Sequence, residues 1–240
     1  VIGVAIGLAV RGIARTVVDG GEEGRGGPLL GRRVRAWYRQ CMAPLELGLL
    51  RAGVSADLLT AASLLVSAAA GWAFAVGAIF LAGWLTMLAG TLDVLDGGVA
   101  RRSGQASRRG ALIDSVIDRW AEFLTFAGLG VFFLQQPGML AVVAVAAFAA
   151  QMVSYVRARA EGLGLALAVG RVQRPERYVV LGFGAWLSGL AAHVTCPLLG
   201  RPTHVILASA VVILAVLSVW TAIERSCWAA SRLRQEDRGR

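Results

Sequence analysis

The 240-residue chain contains no lysine: all 24 of its basic residues are arginine. Acidic residues number only 15, so the formal net charge is +9. Such a balance raises the question of a nucleic-acid partner, but no basic helix or aromatic stacking platform stands clear of the apolar runs, which argues against one. Cysteine is equally scarce. Cys41, Cys196 and Cys227 are far apart and without C-x-x-C spacing, which excludes a disulfide framework or a cysteine knuckle. The two histidines, His193 and His204, flank one short loop beside Cys196; with no carboxylate to join them they read as polar loop residues rather than metal ligands.

What the chain has in excess is hydrocarbon. Hydrophobic residues make up 57% of it and the mean hydropathy is +0.65, the range of an integral membrane protein. A bilayer core takes about 20 apolar residues of helix. Six windows meet that length, at about 56–76, 78–101, 110–134, 139–161, 177–199 and 203–225. The opening "VIGVAIGLAV" is too short to be another. Arginines crowd ahead of the first window, between the second and third, around the fourth-to-fifth connection and after the sixth. The opposite loops, "VGAI", "QQPG" and "CPLLGRPTH", hold one arginine between them. By the positive-inside rule both termini and the basic loops are expected on the cytoplasmic side of the inner membrane.

Ahead of the first window, residues 31–51 alternate arginines with Trp37, Tyr38, Leu45, Leu47 and Leu49, the pattern of a helix lying in the headgroup layer, with Pro44 expected to bend it. Glycines and acids from Asp19 to Gly31 read as a flexible linker. The expected organisation is therefore an N-terminal segment over 1–29, an all-α membrane domain of six spans plus an interfacial helix over 30–228, and a basic tail over 229–240.

The acids are not spread evenly. Asp93, Asp96, Asp114 and Asp118 all fall within "GTLDVLDGGVARRSGQASRRGALIDSVIDRW", residues 90–120. Asp93 and Asp96 are three apart on the second window, and Asp114 and Asp118 four apart on the third, so each pair shares a helix face. The glycine-bearing turn between the windows makes them antiparallel neighbours, and all four carboxylates are expected to converge near the cytoplasmic ends. Unneutralised, they would repel one another and suffer a large desolvation penalty. Oxygen-only donors select hard divalent cations, Mg²⁺ or Mn²⁺, and two such ions would suit phosphoryl chemistry. Gly97 and Ala100 leave no bulk beside the acids, and Arg101 stands a turn beyond, where a guanidinium holds a phosphate. Small residues also serve close helix packing in lipid.

The run D-x-x-D-G-x-x-A-R, eight residues, then G-x-x-x-D-x-x-x-D, carried by Asp93, Asp96, Gly97, Ala100, Arg101, Gly110, Asp114 and Asp118, resembles without departure the signature of the CDP-alcohol phosphotransferases. These integral-membrane enzymes join an alcohol to the phosphatidyl group of a CDP-activated lipid, and the resemblance covers roughly residues 30–228. It implies that Asp93, Asp96, Asp114 and Asp118 bind two ions, Mg²⁺ or Mn²⁺, and that Asp118 is also the general base. It implies further that Asp57, Thr60, Gly97, Ala100, Arg101 and Ser107 contact CDP-diacylglycerol, and that the enzyme is a homodimer. Asp57 and Thr60 equally suit a helix N-terminal turn.

The second half of the chain bears on the acceptor. "SYVRARAEGLG" and "RVQRPERYVV" crowd five arginines against Glu161 and Glu176, a surplus of positive charge that suits an anionic acceptor. Within the family these strings resemble phosphatidylinositol-phosphate synthases, which implies inositol phosphate as acceptor and Ser154, Arg157, Arg174, Arg177 and Arg225 as the residues around its phosphate. One departure is that a lysine is usual where Arg157 stands. Glycerol phosphate is the alternative anionic acceptor. An ion-coupled transporter would disperse its acids at mid-span, and a UbiA-type prenyltransferase lacks the D-G-x-x-A-R run.

Overall fold

A computed structural model describes residues 31–104, 107–167, 169–170, 172–199 and 204–238, with the side chains of 31–33, 35, 36, 39 and 194–199 outside the description. The segment over 1–29, with the linker expected there, also lies outside it. Seven helices account for the regular structure among the described residues: α1 (Gly31–Arg51), α2 (Ala56–Ala75), α3 (Ile79–Arg102), α4 (Arg108–Phe132), α5 (Pro137–Gly162), α6 (Arg174–Leu199) and α7 (Val205–Arg238). The all-α class expected from the sequence is what is observed, and α1 runs through Pro44 as a single helix over the expected residues.

Local chemistry sets the ends. Ser55 and Ser107 cap α2 and α4, accepting from the backbone N–H of Leu58 and Gly110 at 3.3 and 3.0 Å. Gly77 and Gly104, at φ of 78° and 69°, turn the chain between α2 and α3 and between α3 and α4. The last helix outruns its expected span. Hydropathy falls away near 225, but "WAASRLRQEDR" is rich in good helix formers, so α7 continues to Arg238 and Ala229 packs against Ala160 at the end of α5 and Leu165 and Leu167 just beyond it. His193 lies within α6, exposed, rather than in a loop, and His204 Nδ1 lies 3.3 Å from Ser188 Oγ.

Among the described residues four helices are long and apolar enough to cross a membrane by length and composition: α2, α3, α5 and α7. The acids and arginines that make α4 chemically interesting keep its stretches less apolar. Packing is that of a multi-pass membrane protein. Large side chains such as Leu65, Trp72, Phe148 and Val216 face outward, whereas the interior around Phe74, Leu129, Leu207 and Leu214 is filled in with alanines. Helices α2 and α4 touch backbone to backbone at Gly71 and Gly128, where a Cβ on Gly128 would stand 2.6 Å from Gly71 Cα. Buried hydroxyls on Thr86, Thr125 and Thr221 donate to the carbonyls four residues back, so they enter the interior satisfied.

Helix α3 lies between α2 and α6, and α4 between α2 and α5; α7 closes the bundle against α5 and α6. The N-termini of α2, α4 and α6 therefore meet the C-termini of α1, α3, α5 and α7 at one end of the bundle. That end carries the expected site residues and most of the arginines among the described residues.

Candidate active site

Asp93 and Asp96 approach this end on the last turns of α3, and Asp114 and Asp118 leave it on the first turns of α4. Oxygens of Asp93, Asp114 and Asp118 all lie within 4.8 Å of one another. Asp96 is not in that group. Three residues along a helix rotate a side chain by about 60° from its partner, and Thr60 on α2 draws Asp96 aside by donating to its Oδ2 at 2.8 Å. The expected four-fold convergence is thus a cluster of three, with the fourth acid buried on the adjoining wall.

That wall belongs to a cleft of about 310 Å³. Asp57, Thr60, Asp96, Gly97, Ala100, Arg101, Ser107 and Asp114 all line it, so every residue assigned from the sequence to the nucleotide lipid borders one cavity. A Cβ on Gly97 would meet Arg101 Nη1 at 3.0 Å, because the arginine folds back over the glycine. Asp57 is exposed in the first turn of α2, and Ser107 combines its place on the cleft with its capping bond.

The acceptor residues divide. Arg174 is expected among them, but its guanidinium sits among the carboxylates, in ion pairs with Asp93 and Asp118, and donates to Tyr178 Oη at 2.9 Å. Arg157 is exposed and paired with Glu161 at 2.9 Å on its own helix. Arg225 is buried and holds the carbonyls of Val169 and Val153, each at 2.8 Å, tying α7 to α5 and to the α5–α6 connection. Arg177 is buried and donates through Nε to Glu122 Oε1 at 2.6 Å. Ser154 is half-buried one turn before Arg157.

Two acids of the site escaped the sequence reading. Glu122 stands four residues past Asp118, so it extends the D-x-x-x-D face by one more turn, a spacing visible in the sequence. Glu46 is buried on α1, accepts from Arg102 Nε at 2.5 Å, and lies over Gly98, where any side chain would collide with it. Its signal was weaker: a lone acid among leucines on a helix read as interfacial.

The three-carboxylate cluster suits a hard divalent cation. It supplies only oxygen donors, it lies beside a cleft sized for a ligand, and Asp118 Oδ1 is buried with no hydrogen-bond partner apart from its ion pair with Arg174.

Comparison with known proteins agrees with this geometry. A family model for CDP-alcohol phosphatidyltransferase matches residues 54–223. The archaetidylinositol phosphate synthase of Methanothermobacter thermautotrophicus is 34% identical over 186 residues, 77% of this chain and 87% of that protein. The phosphatidylinositol phosphate synthase of Mycolicibacterium smegmatis is 33% identical over 197 residues, 80% of this chain and 84% of its own. Among solved structures, the phosphatidylinositol phosphate synthase of Mycobacterium tuberculosis with CDP-DAG bound superposes with a TM-score of 0.65 at 29% identity, covering 79% of this chain and 94% of that one. The same protein in complex with manganese and citrate gives 0.66 at 29% identity over 77% and 88%.

Proposed function

This chain belongs to the CDP-alcohol phosphatidyltransferase family, and from that premise we propose that it transfers the phosphatidyl group of CDP-diacylglycerol to a hydroxyl of inositol phosphate, releasing CMP. The observation that carries the reading is the juxtaposition of three converging carboxylates with a cleft lined by the D-G-x-x-A-R residues. The relatives named for inositol phosphate lipids support the choice of acceptor.

In this reading Asp93, Asp114 and Asp118, with Asp96 beside them, hold Mg²⁺ or Mn²⁺, two ions in all. When bound, the metal neutralises charge on the pyrophosphate and lowers the barrier to displacement at phosphorus. The protein's residues do the rest. Thr60 orients Asp96. Gly97 and Ala100 let the diphosphate approach the helix backbone, and Arg101 and Ser107 meet the nucleotide from the rim of the cleft. Asp118 takes the proton of the acceptor hydroxyl as that oxygen attacks the β-phosphorus; the bond from the β-phosphorus to the bridging oxygen breaks, and CMP departs. Arg177 and Arg225 gather the acceptor's phosphate, with Ser154 and Arg157 nearer the exit.

The architecture follows the same proposal. Helices α4 and α6 join the four apolar helices as spans, making six, and α1 lies in the headgroup layer, where Trp37, Leu45 and Leu47 are exposed. The arginine-rich end faces the cytoplasm, so CMP and a soluble anionic acceptor exchange with that compartment. The test is transfer of radiolabel from CDP-diacylglycerol in purified protein. Labelled lipid should form with inositol phosphate and not with glycerol phosphate; the reverse preference overturns the acceptor, and no CMP with either overturns the reaction.

A further inference from the structure

The proposed acceptor pocket has four arginines, and the structure distinguishes them by what their nitrogens already hold. Arg174 is committed to Asp93, Asp118 and Tyr178. Arg157 is exposed and held by Glu161. Arg225 spends Nε and Nη1 on backbone carbonyls. Arg177 is different. Its side chain is 5% exposed, and only Nε is engaged, by Glu122, itself 10% exposed. Nη1 and Nη2 are both buried without a hydrogen-bond partner.

A guanidinium held at Nε presents its two terminal nitrogens as a fork, the geometry that matches two oxygens of a phosphate. A buried arginine with free terminal donors is costly, because each unmade hydrogen bond carries its desolvation penalty. Glu122 Oε1 accepts from Nε at 2.6 Å and so holds the buried guanidinium in one orientation. Arg177 also lies within electrostatic range of Arg225. Glu122 and Arg177 together border a cavity of about 20 Å³ with Thr86, Thr125, Arg174 and Tyr178, room for about one water molecule.

We infer that Glu122 is a positioning residue for acceptor recognition: it fixes Arg177 through Nε so that Nη1 and Nη2 meet the phosphate of the polyol. The inference rests on the acceptor-phosphate reading of Arg177 and adds a residue outside the eight-position motif. An acid beside an anion site lowers the local positive charge, and the benefit is orientation: Glu122 removes rotamer freedom of the arginine before the acceptor arrives.

The test is steady-state kinetics of CMP release, with each substrate varied in turn. Glu122→Ala should raise KM for inositol phosphate at least about tenfold while KM for CDP-diacylglycerol stays within about twofold. Glu122→Gln keeps an acceptor oxygen at the right reach and should restore the acceptor KM to within about threefold; Glu122→Asp keeps the charge but shortens the reach and should not. In an Arg177→Ala background, Glu122→Ala should change the acceptor KM by less than about twofold, because the group it positions is gone. Equal increases in both KM values, full additivity with Arg177→Ala, or Glu122→Asp rescuing better than Glu122→Gln would overturn the inference. Should Glu122→Ala fail to fold, the ranking of the Gln and Asp variants decides alone. A wild-type protein that uses glycerol phosphate instead overturns the acceptor reading and not this one, and the same variants are then measured with glycerol phosphate.

Discussion

Replacing Asp114 by asparagine separates the cost of the acidic cluster from its use. Oxygens of Asp93, Asp114 and Asp118 lie within 4.8 Å of one another. At that distance, and an effective dielectric of about 20, each like-charged pair is worth about 3 kcal/mol of repulsion. Arg174 pairs directly with Asp93 and Asp118, whereas Asp114 receives only the longer-range fields of Arg174 and Arg119. Asp114 is therefore the one acid of this cluster of three without a direct ion pair. Asp114→Asn keeps the shape, so in chelator it should stabilise the protein by about 1–2 kcal/mol, read as a rise in Tm of about 3–6 °C for a chain of this size. Added Mn²⁺ should raise the Tm of wild type through preferential binding to the folded state and move the variant far less. CMP release should be lost in the variant under both conditions. The assay is thermal unfolding in detergent, with and without Mn²⁺, beside turnover. A variant less stable than wild type in chelator, or one keeping the full metal-induced shift, would refute the reasoning.

Asp118→Asn should lower kcat by about 10²–10⁴-fold while CDP-diacylglycerol binding by equilibrium titration persists, since the proton acceptor is lost and the cleft remains. Thr60→Val removes the donor to the buried Asp96 and should cost about 1–3 kcal/mol in denaturation, with a raised KM for the nucleotide lipid in turnover assays. Gly128→Ala drives a methyl into the backbone of Gly71, which has no flexible end to move aside, and should lower stability by about 3 kcal/mol in thermal unfolding.

The acidic motif was legible because its chemistry is local: spacings of three and four residues on helices joined by a short turn leave the carboxylates little choice of position. The cleft followed from the same run, with Thr60 brought in by its place at the start of α2. What the sequence concealed depends on partners far along the chain. Glu122 meets Arg177 across 55 positions and Glu46 meets Arg102 across 56, and no periodicity announces either pair. Arg174 and Arg177 sit three apart in one basic stretch, yet one enters the acidic cluster and the other turns to Glu122, a division set by which neighbour each faces. The extension of α7 was hidden for another reason: hydropathy reports where lipid ends, whereas the helix continues on backbone propensity and on the packing of Ala229.

The most direct measurement is anomalous diffraction at the manganese edge from crystals of this protein grown with Mn²⁺. Density should appear between Asp93, Asp114 and Asp118, with carboxylate oxygens about 2.0–2.3 Å from the ion and the Arg174 guanidinium displaced from the cluster. Crystals saturated with Mn²⁺ that show Arg174 still seated among these carboxylates and no anomalous peak there would contradict the account.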